Sequence, residues 1–347
     1  MQSPDTVQSS DAIQPSDAKG RVDGRFGELL PVLPAHLREI LGRIPTEVLK
    51  NLEEIRLREE RPLMLVYGGR DGFATPRSTI QELPGEPDPA YIITREDTAK
   101  TLQLMSHSSL YALEEELRNG FLTLPGGHRV GFVGKGITED GRLKTLKNIS
   151  GFNIRLAREI LGAADQVLPR LVVTPPMDGK DASKVLSTLI ISPPQCGKTT
   201  LLRDLARQIS DGVPSLGLIG RKVGIVDERS EIAGCFNGVP QNDVGVRTDV
   251  LDTCPKAAGI MLLLRSMSPE VVVTDEIGRE EDVDAVEEAC HAGVAVIATA
   301  HGHDLGELLR RPGTGRVIRD GHFQRAVILS RRRGPGTVEA VLELNQE

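Results

Sequence analysis

Tryptophan is absent, and phenylalanine and tyrosine together supply only 3% of the residues. A chain this poor in rings offers few platforms on which nucleic-acid bases stack, and its core has to be aliphatic. Basic residues are not in excess either: 42 Lys and Arg face 49 Asp and Glu, a formal net charge of -7. That balance speaks against a dedicated nucleic-acid binder, although it leaves room for a local basic patch such as Arg331-Arg332-Arg333. The four cysteines, Cys196, Cys235, Cys254 and Cys290, form no C-x-x-C pair and no metal-type spacing. They predict a reduced, cytoplasmic setting rather than a disulfide framework. No apolar run approaches the roughly 20 residues of a membrane span; Gly259 to Leu264 ends against Arg265. Membrane association is therefore expected only peripherally, through partners. Residues 1–25 are rich in Ser, Asp, Gln and Pro, without an apolar segment or periodicity, and are expected to form a disordered tail.

Against these absences stands one dense stretch, Ser192-Pro193-Pro194-Gln195-Cys196-Gly197-Lys198-Thr199-Thr200. It follows the apolar strand-like run Ser187 to Ile191. It precedes a segment in which Leu201, Leu202, Leu205 and Ile209 share one helical face. The spacing is that of a Walker A loop. Small residues at a strand-to-helix turn let backbone N–H groups face an anion, and the helix N-terminus adds partial positive charge. Lys198 is expected on the β- and γ-phosphates, the Thr199 hydroxyl on Mg²⁺ and Thr200 near the α-phosphate. Ser192 stands where the pattern has its first glycine. Serine tolerates positive φ less well, so Ser192 is the expected weak point of the loop.

Further along, Val271-Val272-Val273-Thr274-Asp275-Glu276 is an apolar strand ending in two acids. Asp275 is expected in the Mg²⁺ shell and Glu276 to orient or deprotonate the attacking water, giving ATP and Mg²⁺ as ligands. The plainer alternative is an acidic cap for the next helix. His301 ends another apolar run, where parallel strands open onto a ligand crevice; the alternative is an ordinary loop histidine. Asp227, Glu228 and Glu231 end a further strand and are candidates to position water and Mg²⁺, or else a solvated acidic turn.

Strand and helix signals alternate through the second half: strands over Lys222 to Asp227, Val271 to Thr274 and Val294 to Ala298, and a helix over Glu280 to His291. A closing hairpin over Gly334-Pro335-Gly336 joins Ala326–Leu329 to Thr337–Leu344. This is the pattern of an α/β domain with a mostly parallel sheet covered on both faces. The first half reads as a smaller α+β domain. It has helices over Leu33 to Ile44 and Thr94 to Ser106, strands over Glu54 to Leu57 and Leu63 to Tyr67, an exposed loop over Asp71 to Pro89, and a hairpin across Pro125-Gly126-Gly127. The expected division is a tail over 1–25, an α+β domain over 26–165, a connector over 166–185 and a P-loop ATPase domain over 186–347.

The order of phosphate loop, acidic box, two-acid strand end and strand-end His resembles the secretion-type ATPases of type II, type IV and pilus systems. Leu264-Arg265-Ser266-Met267-Ser268-Pro269-Glu270 and Glu276-Ile277-Gly278-Arg279 resemble their Leu-Arg-x-x-Pro-Asp and Glu-Ile-Arg elements. Three departures mark a side branch. The Arg-to-Pro spacing is one residue longer, the box reads Asp-Glu-x-x-Glu, and Asp275 stands where many have Gly. The runs Val226 to Ile232, Gly245 to Asp252 and Arg265 to Glu270 are similar to those of the stage III sporulation protein AA family, from about Phe26 onward. That family's loop opens with Gly, so Ser192 departs here too.

This resemblance implies a RecA-like ATPase acting as a cytoplasmic motor, peripheral at the mother-cell membrane, for a channel linking mother cell and forespore. It implies a ring, hexameric in such ATPases, and membrane proteins of the sporulation channel as partners, with no nucleic acid. Arg155 matches an element near the domain junction of these ATPases, with a surface strand arginine as the alternative. Arg247, Arg265 and Lys256 are further candidates for a group acting on a neighbour's nucleotide. Two other functions compete: a nucleic-acid-associated ATPase, motivated by Arg331 to Arg333, and a nucleotide-dependent scaffold with little hydrolysis.

Overall fold

In the computed structural model, residues 26–85, 88–106, 114–139, 141–173 and 183–344 are described. The tail expected over 1–25 lies outside them, as does the middle of the expected connector. The chain forms two compact units, one ending at Leu122 and resuming over Arg129–Leu156, the other comprising Thr123–His128 and Ala157 onward.

The first unit is organised by a seven-stranded sheet in the order β4-β3-β2-β1-β7-β6-β5. Its strands are β1 (Leu52–Arg58), β2 (Met64–Tyr67), β3 (Arg70–Ala74), β4 (Ile80–Gln81), β5 (Phe121–Thr123), β6 (Arg129–Glu139) and β7 (Arg142–Arg155). Leu52, Ile55 and Leu57 turn one face of β1 inward, with a bulge after Leu52. The helix Arg95–Met105 starts on a capping box: Thr94 accepts from the Asp97 N–H, and Asp97 accepts from the Thr94 N–H. Such reciprocal caps satisfy two otherwise orphaned donors. The loop expected over Asp71 to Pro89 contains most of β3 and all of β4. Gly72 permits this pairing, because a Cβ there would stand 2.5 Å from Ile80 Cγ2.

The second unit carries the sheet β14-β13-β15-β16-β10-β17-β18. A ribbon of β8 (Val172–Val173) and β9 (Lys184–Val185) precedes it. Its strands are β10 (Thr188–Ser192), β13 (Val223–Asp227), β14 (Thr248–Asp252), β15 (Val271–Thr274), β16 (Ala295–His301), β17 (Arg325–Ser330) and β18 (Thr337–Glu343). A second ribbon, β11 (Gly212–Val213) with β12 (Leu218–Ile219), follows the first helix. All pairings in the large sheet are parallel except β17 with β18. β10, β13 and β15 are buried at every residue, as strands covered on both faces must be.

Successive residues feed opposite cores. Ile190, Ile225, Val273 and Ile297 pack with Leu202, Leu205 and Ile209 of the helix Lys198–Asp211. Leu189, Val226, Val272 and Val296 pack with Ile260 and Leu263 of the helix Lys256–Ser266 and Val283 and Val286 of Glu280–His291. Each fully buried aliphatic side chain of this kind contributes roughly 1.5–3 kcal/mol. Leu168, Leu171 and Val185, inside the expected connector, belong to the first of these cores. The chain leaves β10 toward one face and β15 toward the other. The carboxyl ends of β10, β16 and β15 are therefore where it parts and a crevice opens.

Candidate functional site

At that crevice the turn from β10 to Lys198–Asp211 sets the floor. Ser192 is the last residue of β10, fully buried, and its Oγ donates to the Pro193 carbonyl at 2.9 Å. It has no positive φ. The left-handed positions are Gln195 at 59° and Gly197 at 86°. The strain expected at Ser192 is therefore absent there, because the chain bends three residues later. Alternating conformations of this kind turn successive N–H groups into one concavity. Pro193 and Pro194 have no N–H to offer. Cys196 is buried, so its side chain faces away from solvent.

The cleft above the turn has a volume of about 420 Å³. It is lined by Gln195, Lys198 and Thr199 of the turn and by Glu231, Asp275, Glu276 and His301 at strand ends. Lys198 Nζ donates to the Pro193 carbonyl at 3.4 Å and to His301 Nδ1 at 3.1 Å. Burial lowers the Lys198 pKa, against the opposing pull of Glu276 and other acids. Asp275 is buried, and its Oδ1 has no hydrogen-bond partner. Burial, then the nearby Asp227 carboxylate, pushes its carboxyl up to about 7.

Glu276 is held from three sides. Its N–H donates to Thr299 Oγ1 at 2.8 Å. His301 Nε2 lies 2.9 Å from Oε1, and Arg229 Nη1 lies 3.1 Å from Oε2. Because a carboxylate only accepts, the His301 proton belongs on Nε2, leaving Nδ1 to accept from Lys198. Register explains the meeting: His301 ends β16 directly beside Ser192 at the end of β10.

Other expected members fall elsewhere. Asp227 is buried and spends its carboxylate on the N–H groups of Glu231, Ile232 and Ala233, at 2.8, 3.0 and 2.8 Å. A short side chain at a strand end closes such a turn, so Asp227 shapes the loop that presents Glu231 and does not face the cleft. Glu228 pairs with the buried Lys256 and is likewise turned away. Arg247 precedes β14 at the opposite, amino end of the sheet, and its Nη1 donates to the Ser210 carbonyl at 2.9 Å. Arg265 is exposed in the last turn of Lys256–Ser266, near that same end. Arg155 is exposed at the end of β7 in the first unit.

Three contributors escape the sequence pattern. Arg229 lies inside the acidic box but carries the wrong sign for it. Thr299 is one of many strand threonines. Pro335 sits in what reads as a plain hairpin turn, yet it lines the cleft.

The family model for sporulation stage III, protein AA matches residues 24–346. The chain belongs to that family. Stage III sporulation protein AA of Bacillus subtilis (strain 168) is 46% identical over 327 residues, spanning 92% of this chain and 95% of the relative. Two solved structures share the fold of this family member at 15% identity. The pilus retraction motor PilT with bound ADP has a TM-score of 0.56, covering 87% of this chain and 82% of its own. The Legionella pneumophila ATPase DotB has a TM-score of 0.50, covering 80% and 72%. The expected RecA-like α/β architecture is thus the observed one. Among the described residues of this family member, no helix is long and apolar enough to cross a membrane.

Proposed function

We propose that this chain is an ATP-hydrolysing motor of the secretion-ATPase kind. It energises an envelope-spanning complex of sporulation, between mother cell and forespore. The observation that carries this reading is that Asp275 and Glu276 line the same cleft as Lys198 and Thr199.

The residues fit a magnesium nucleotide. A buried carboxylate oxygen without a donor, on an acid that burial disfavours as an anion, suits a divalent cation. Thr199 and Asp275 would hold Mg²⁺, which supplies neutralising charge for the phosphates. The N–H groups of Gln195 to Thr200 and the Lys198 ammonium would bind the phosphate chain. Glu276 would accept the proton of the attacking water. His301 and Arg229 fix where its carboxylate points, and Thr299 anchors its backbone N–H. Glu231 has access to the same space and would orient that water.

Family membership supports the sporulation setting, and the shared fold supports assembly of copies into a ring, with membrane proteins of the channel as partners. Turnover assays paired with sedimentation, with and without ATP, test both halves. Wild type should hydrolyse ATP and assemble, Lys198→Ala should lose binding, and Glu276→Gln should bind ATP with turnover at least about a hundredfold lower. Wild-type turnover in the Glu276→Gln variant would sink the catalytic assignment.

A further inference from the structure

The apex of the turn after β10 holds a conformation that its own residue disfavours. Gln195 stands at φ 59°, a left-handed geometry that is costly for a residue with a Cβ unless its surroundings hold it there. The support comes from the far end of the chain. Arg331 Nη1 donates to Gln195 Oε1 at 3.1 Å. The Gly336 N–H donates to the Cys196 carbonyl at 2.9 Å. Gly197 packs so close to this tip that a Cβ on it would stand 3.0 Å from the Gly336 nitrogen.

The tip between β17 and β18 is itself well fixed. Gly334 and Gly336, at φ 110° and 84°, make the turn. Thr337 Oγ1 donates to the Gly334 carbonyl at 2.7 Å and accepts from the Arg333 N–H at 3.3 Å. Arg332 is braced on Glu339. A rigid tip that touches the strained residue and its neighbour is placed to set the conformation of the whole turn.

We propose that the β17–β18 tip is a latch for the phosphate-binding turn. Gln195 is the strained residue it holds, and Arg331 and Gly336 are the positioning residues that hold it. This inference rests on the reading of the cleft as an ATP site. Without the latch Gln195 relaxes from the left-handed region, and the N–H groups of the turn no longer converge. Binding then has to rebuild the concavity, so affinity falls while turnover at saturation holds. A lost hydrogen bond is worth about twofold to tenfold, and a released left-handed residue about fivefold to a hundredfold.

The latch makes a pattern that general loosening does not. Arg331→Ala and Gln195→Ala should each weaken Mg·ATP binding about fivefold to tenfold by calorimetry. The double variant should be no worse than either single one, because both remove the same contact. Gln195→Gly, which removes both the strain and the Arg331 contact, should bind no more weakly than Gln195→Ala, and adding Arg331→Ala to it should change nothing. Additive losses overturn the latch. So does a loss on Arg331→Ala in the Gln195→Gly background, which would mean that Arg331 touches the nucleotide directly. A second readout needs no nucleotide: amide hydrogen exchange across Gln195 to Lys198 should quicken in the full-length Arg331→Ala protein at unchanged melting temperature. If wild type binds no ATP, the ATP-site reading fails, and the exchange result still decides the latch.

Discussion

Asp275 shows most clearly how single residues are tuned. Burial holds its proton up to about pH 7 in the folded chain, against 3.8 for the free side chain. Between those values the folded state binds more protons than the unfolded one. The metal-free protein should therefore lose stability as pH rises from about 4 to 7, then level off. Melts in a chelator across that range check this. Asp275→Asn should melt higher than wild type at pH 7.5, with a flatter pH profile. The meeting of these residues at one cleft was legible, since Gly197-Lys198-Thr199 and Asp275-Glu276 each form a contiguous run placed by strand and helix geometry. The seat of strain was not, because positive φ depends on how the turn is packed. Ser192→Gly should accordingly leave ATP affinity unchanged and cost a few tenths to about 1 kcal/mol of stability, since glycine weakens a strand.

At the level of elements, the continuous apolar runs predicted β10, β13, β15 and β16, and the helix Glu280–His291 falls where its pattern puts it. β14 escaped because Thr248 to Asp252 mixes acids with two apolar residues and is only half-buried at the sheet edge. Asp227 and Glu228 misled for a related reason: a strand end facing a crevice and a strand end closing a turn carry the same acids. The helix Lys256–Ser266 packs through a glycine that its apolar stretch disguises. A Cβ on Gly259 would stand 2.5 Å from Val226 Cγ1. Gly259→Ala would gain up to about 1 kcal/mol of helix propensity. Overpacking against a stiff, fully buried valine costs about 1–3 kcal/mol and wins. A lower melting temperature for Gly259→Ala is the expected result.

For the whole molecule, the proposed ring calls for an arginine that acts between copies. Arg247 is committed to the Ser210 carbonyl and packs over Gly220, where a Cβ would meet its Nη1 at 2.5 Å. Its removal should lower the melting temperature. Arg265 and Arg155 are exposed, so Arg265→Ala and Arg155→Ala should melt like wild type. A several-fold loss of turnover confined to assembled protein, measured against protein concentration, would single out the arginine that reaches a neighbour's nucleotide.

The strand order of the second unit also sets a timetable. β10 pairs with β16 and β17, and both are made long after it. The turn that carries Lys198 thus waits through most of the synthesis that remains before both of its neighbours exist. Contacts this distant along the chain form slowly. A nascent chain stalled before Arg325 would display every residue of the phosphate loop with β10 still an open edge. Completion of the proposed nucleotide site is thereby deferred until the chain is nearly complete.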